Sequence, residues 1–142
     1  MVNPPNRALV RALAPLAVMA VIFYFSAQPA AAHHAWWEIV VRKLGHVTGY
    51  ALLTLLWAWA LRGVVKRPVL VAVCIALAYA CTDEFHQTFV RGRNGSPIDV
   101  GIDAIGIAIA AVVIRMRWLS PADRGRAHAR GRTSRSSLAR SP

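Results

Sequence analysis

Four apolar stretches, separated by short polar connections, limit most sharply what this chain can fold into. They read ALAPLAVMAVIFYF (Ala12 to Phe25), LGHVTGYALLTLLWAWAL (Leu44 to Leu61), PVLVAVCIALAYAC (Pro68 to Cys81) and VGIDAIGIAIAAVVI (Val100 to Ile114). A hydrocarbon core of about 30 Å needs about 20 helical residues, with about 17 as a working minimum. Each stretch reaches that length once its polar end residues are counted in, which for the third means running on through Asp83 and Glu84. A soluble helix would carry a polar stripe at a period of about 3.6 residues, and none of the four does. The expected fold is therefore all-α: a polytopic membrane bundle of about four transmembrane helices.

A formal charge of +11 on a chain that is 56% hydrophobic raises nucleic acid as a partner. The distribution of that charge argues against it, because eight of the 17 Lys and Arg lie at Arg115 or beyond, in an Arg-, Ser- and Gly-rich end with no aromatic or folded module. No nucleic acid is expected. The N-terminus, the second connection and the C-terminal end hold thirteen basic residues, against four (Arg42, Lys43, Arg91, Arg93) in the other two connections. By the positive-inside rule both termini are expected in the cytoplasm. The chain then divides into a cytoplasmic N-terminus (1–11), a transmembrane domain (12–116) and a basic, disordered cytoplasmic tail (117–142), since the tail has too little apolar area to offset chain entropy. Arg7 and Arg11 before the first stretch, with a small-x-small site ending near Ala32, also read as a cleavable secretory signal. Cleavage would leave the later helices in the same orientation.

Five of the six acids (Glu38, Asp83, Glu84, Asp99, Asp103) fall on or near the outward side. Lys43, His46 and Tyr50 share one face of the second helix, and Asp99, Asp103 and Gly106 share one face of the fourth. Asp103 lies about 6 Å deeper than Asp99 at 1.5 Å per residue. An unpaired carboxylate at such depth costs on the order of 3 kcal/mol, so it is expected to face the bundle interior. Gly106 below it would let a neighbouring helix approach closely. On the third helix Asp83 and Glu84 each stand within a turn of Gln87. RGRNGS then makes a turn, after which Ser96 is placed to cap the fourth helix with Pro97 at its first position. The two last helices read as a hairpin with Arg91 and Arg93 above Asp83, Glu84, Asp99 and Asp103, an expected ion-pair network.

Taken together, KLGHVTGYALLTLL (Lys43 to Leu56) and DEFHQTFVRGRNGSPIDVGIDAIG (Asp83 to Gly106) resemble the VanZ-like family of small bacterial membrane proteins, named for an accessory factor in teicoplanin resistance. FSAQP (Phe25 to Pro29) is similar to that family's exit from its first helix. The resemblance spans roughly residues 24 to 110. By position it carries over Lys43, His46, Tyr50, Asp83, Glu84, Gln87, Arg93, Ser96, Asp99 and Gly106. Two departures stand out: Asp103 where the family often has asparagine, and Ala110 where it often has a second glycine. The resemblance implies a multi-pass protein of the bacterial cytoplasmic (inner) membrane with the lipid bilayer as its surroundings, and it implies no particular reaction.

Three functional readings remain open from the residues. In the first, Lys43, His46, Tyr50, Asp83, Glu84, Gln87, Arg91, Arg93, Ser96, Asp99 and Asp103 form an outward polar site that recognises an anionic or amphiphilic cell-envelope ligand. Arginines in a glycine-bearing turn suit phosphate or carboxylate, and lipid-linked cell-wall intermediates and lipoglycopeptides carry such groups, which connects the site to teicoplanin-type resistance. In the second, two of the carboxylates act as general acid and base in a hydrolase or transferase working on a lipid-linked substrate. In the third, the charges only fasten the helices. His46, Asp83, Glu84, His86 and Asp99 include metal-ligand types, but there is no His-Glu-x-x-His spacing and Lys43 and the arginines are expected to compete for the carboxylates. No metal and no cofactor is expected; a haem between His46 and His86 has nothing else to support it.

Overall fold

The computed structural model describes residues 4–30 and 35–118. The paired His33 and His34, the cleavage site near Ala32 and the tail beyond Trp118 lie outside the described residues. The described residues form four helices: α1 (Pro4–Ser26), α2 (Trp36–Ala60), α3 (Pro68–Gln87) and α4 (Pro97–Trp118). Each is long and apolar enough to cross a membrane, and among the described residues there is no strand, only an isolated bridge between Arg62 and Val65 in the α2–α3 turn.

The helices extend beyond the apolar stretches in a physically ordered way. α2 starts eight residues earlier than its apolar run, at Trp36, because WWEIVVRK contains no helix breaker and places Glu38 in the first turn, where a negative charge suits the helix dipole. α3 runs from Pro68, at its N-terminus, to Gln87, so the polar DEFHQ segment is fully helical. α4 opens with Pro97 and ends at Trp118 with Arg115 and Arg117 in its last turn, where cations complement the carbonyl end. Ser96 Oγ accepts from the Ile98 backbone N–H at 3.2 Å, the expected N-cap.

Small residues set the packing. α3 presents Ala72, Ala76 and Ala80, all fully buried, at intervals of four, so they form one straight ridge. The same face continues upward into Asp83, Glu84 and Gln87. α4 answers with Asp103, Gly106, Ile107, Ala110 and Ile114, and α2 with Tyr50, Leu53, Thr54 and Ala58. Van der Waals contact between close backbones is what holds helices together where lipid offers no hydrophobic gain. Ala110 is 2% exposed, so the small side chain at this position still serves close packing. A Cβ added to Gly106 would run into the Val47 carbonyl oxygen: α2 and α4 touch backbone to backbone at that level.

α2, α3 and α4 form a tight trio, and α1 leans mainly on α2. Outward-facing side chains such as Leu13, Val21, Leu52, Ile105 and Val112 are exposed, as a surface meant for lipid would be. At the basic end, Arg11 lies over the Trp59 ring at 5.2 Å and Arg62 over the Trp118 ring at 4.9 Å. These pairs join an aromatic belt to cations at one margin of the bundle. The five described acids collect toward the other margin, where α1 and α3 end and α2 and α4 begin.

Candidate functional site

The polar centre is built where α3 stops being a ridge of alanines. Asp83, Glu84 and Gln87 are all at least nine-tenths buried and are tied together through the Gln87 amide. Gln87 Nε2 donates to Asp83 Oδ2 at 3.1 Å and to Glu84 Oε1 at 3.3 Å. Ser26, from the last turn of α1, donates its hydroxyl to Asp83 Oδ2 at 2.7 Å. The turn into α4 closes over Glu84, whose Oε2 accepts from the Ser96 backbone N–H at 3.0 Å. Gly95 is required here, because a Cβ on it would meet the Glu84 carbonyl oxygen and the Thr88 side chain.

Across the interface, α2 and α4 pair in two layers. Lys43 Nζ donates to Asp99 Oδ1 at 2.9 Å, with both side chains part-exposed. One turn deeper, His46 Nδ1 meets Asp103 Oδ1 at 3.0 Å, and Asp103 is fully buried. The outer pair is wet and worth about 1 kcal/mol or less. The inner pair is the expensive one to break, because removing either partner strands the other away from water. Tyr50 lies below, its ring stacked on His46 with centroids 6.3 Å apart; its hydroxyl is buried without a hydrogen-bond partner.

Arg93 departs from the expected ion-pair network. It bonds no carboxylate: Nε donates to the Gln28 carbonyl at 3.0 Å, Nη2 to the Phe25 carbonyl at 2.9 Å and Nη1 to Gln87 Oε1 at 3.2 Å. The physical reason lies in α1, whose last carbonyls have no acceptor role left within the helix and lie within reach of the guanidinium fork. Burial draws the Arg93 guanidinium below its ordinary pKa, helped by Arg42 nearby and opposed by Asp83 and Glu84; an arginine stays charged through such a change. Arg91 also stays out of that ion-pair network among the described residues. Its side chain is exposed and bonds nothing among the described residues, while its carbonyl accepts from the Ala30 N–H at 3.1 Å. Gly92 beside it has φ +77° and sits where a Cβ would strike the Ala30 carbonyl. The α3–α4 turn thus grips the chain leaving α1.

Ser26, Gln28 and the Phe25 carbonyl are therefore parts of the centre that the sequence alone passes over; FSAQP marks only the exit from the first helix there. His86, by contrast, turns away from Asp83 and packs its ring on Phe23 at 4.7 Å between centroids.

Two depressions meet at this centre. An apolar groove of about 780 Å³ runs between α1 and α2, walled by Val18, Val21, Ile22, Val41 and Leu52. A smaller polar cleft of about 220 Å³ lies among Lys43, Gln87, Asn94 and Asp99. Arg42, His46 and Arg93 line both.

His46, Asp83 and Glu84 offer ligand atoms that all lie within 4.8 Å of one another. Compared with known proteins, the chain matches the family model described as VanZ/LLP1 over residues 11–119. No curated protein and no solved structure matches it. On the length of that match, the chain belongs to the VanZ/LLP1 family.

Proposed function

We propose that this VanZ/LLP1 protein binds an anionic amphiphile of the cell envelope, with the apolar chain in the α1–α2 groove and the charged head at Arg42, Lys43 and Arg93. The observation that carries this reading is the junction of an apolar groove with a cationic, polar cleft. A lipid-linked cell-wall intermediate has this two-part chemistry, a long hydrocarbon chain ending in phosphate. Arg42, Lys43 and Arg93 all line the polar cleft, and Arg93, whose Nε, Nη1 and Nη2 each make one bond within the protein, keeps a second N–H on each Nη for a phosphate oxygen. Holding such intermediates is a route by which the protein would alter sensitivity to teicoplanin. On this reading the head-group end faces outward and both termini are cytoplasmic. An impermeant thiol reagent applied to intact cells is expected to label Asn94→Cys, which is exposed in the α3–α4 turn, in a background with Cys74 and Cys81 replaced by Ala. Labelling only after the membrane is opened would invert the topology.

Gly45 provides the direct test of the groove. It lines the α1–α2 depression, and a Cβ there would meet nothing within 4 Å. Gly45→Phe fills the groove without striking the bundle, and losing a mid-helix glycine favours the helix by about 0.5–1 kcal/mol before any other effect. The variant is expected to fold as well as the parent, to lose crosslinking to a photoreactive polyisoprenyl phosphate in nanodiscs by at least tenfold, and to lose any teicoplanin protection the parent confers on a susceptible bacterium. Undiminished crosslinking in well-folded Gly45→Phe would remove the groove from the proposal.

A further inference from the structure

We infer that His46, Asp83 and Glu84 form a binding site for a divalent transition-metal ion, with Zn²⁺ the best fit, at the floor of the polar centre. The inference is separate from the amphiphile reading and stands whether or not the groove is occupied. The three residues come from α2 and α3 and bring one nitrogen and two carboxylates within 4.8 Å of one another. Zinc bonds to such ligands are about 2.0–2.2 Å, so side-chain movements of about 1 Å bring all three to bonding distance. A borderline cation is what a mixed imidazole and carboxylate set suits, and zinc takes such ligands without a geometric demand of its own.

Three further observations point to a cation. First, Asp83 is 2% exposed, yet its Oδ1 has no hydrogen-bond partner. Its other oxygen carries the Ser26 and Gln87 bonds, so Oδ1 is the atom left for a ligand. Second, His46 Nδ1 is engaged by the fully buried Asp103, which fixes the ring and leaves Nε2 as its free donor. A carboxylate holding the far nitrogen is the usual support of a metal-bound histidine. Third, among the described residues neither Asp83, Glu84 nor Asp103 has a Lys or Arg ion pair. The expected competitors are occupied elsewhere: Lys43 by Asp99, and Arg93 by Gln87 and the carbonyls of Phe25 and Gln28. Three carboxylates therefore share a buried setting with one histidine, and such an excess of negative charge is neutralised by protons or by a cation. Of the two expectations against a metal, the missing His-Glu-x-x-His spacing and the competing cations, the folded arrangement removes the second.

The test uses the tag-free full chain in detergent, stripped with chelator, with His33 and His34 replaced by Ala in every sample so that this adjacent pair contributes nothing. Zn²⁺ alone is the probe, at micromolar free concentration, and bound metal is counted by mass spectrometry. One zinc per chain is expected. Asp83→Asn and Glu84→Gln are each expected to weaken binding at least tenfold, while His86→Gln, outside the trio, leaves it unchanged. A second readout needs no variant: Co²⁺ added to the stripped chain is expected to give a visible d–d absorption band that Zn²⁺ displaces. Less than a tenth of an equivalent of zinc bound, no cobalt band, or binding equal in Asp83→Asn and Glu84→Gln would each overturn the site and leave protons as the neutralising species.

Discussion

Gly106→Ala is expected to lower the stability of the bundle by about 3 kcal/mol, near the upper part of the range for overpacking. The added methyl would strike the Val47 carbonyl oxygen, and a backbone atom cannot rotate aside as a side chain can. The helices must separate, and the His46–Asp103 bond lies one turn above the contact. Separating α2 from α4 therefore loosens the buried His46–Asp103 hydrogen bond along with the packing. In detergent, the apparent melting temperature is expected to fall by roughly 10 °C or more, taking the usual scaling for a domain of about 100 residues. A variant melting with the parent would mean that the two helices do not meet at this level.

Arg93→Ala is the second large effect, again about 3 kcal/mol, since three hydrogen bonds from a charged donor are lost and two of them are partly wet. Those bonds run to Phe25, Gln28 and Gln87, so the damage should appear where α1 ends. Hydrogen–deuterium exchange is expected to rise in the segment from Phe23 to Ala30 and to change little in the alanine ridge of α3. Arg93→Lys has one ammonium where the parent has a planar fork, and it is expected to recover about a third of the loss. Unchanged exchange around Phe25 in Arg93→Ala would show that the arginine does not hold α1.

The family, the all-α class and the four helices were legible because their signal is local. An apolar run of fourteen or more residues has few soluble uses, and the spacing already set Lys43 and His46 on one face of α2 and Asp99 and Asp103 on one face of α4. What the spacing could not supply was direction. Arg93 lies close in sequence to four acids, and charge counting sends it to them; in the folded chain it turns to the neutral carbonyls of Phe25 and Gln28, where the chain leaves α1 and no helical N–H follows to bond them. Ser26 carries no charge and sits 57 residues from Asp83, so nothing local marked it. The alanines at 72, 76 and 80 were hidden for another reason: in so apolar a run, a four-residue period of small side chains has little contrast with its neighbours.

The apolar layer beneath the polar centre has a consequence of its own. Below His46 and Asp103 the interior closes with Tyr50, Leu53, Ala76, Ala80 and Ile107. Two of the polar groups below that level are tied off locally: Thr54 Oγ1 donates to the Tyr50 carbonyl and Tyr79 OH to the Met19 carbonyl, while the Tyr50 hydroxyl and Trp57 Nε1 are buried without a partner. The centre is thus floored by apolar side chains and reached from one margin of the bundle and sideways from between α1 and α2. On the proposed reading, an amphiphile that enters leaves by the same way, and the protein holds its occupant instead of passing it through the bilayer.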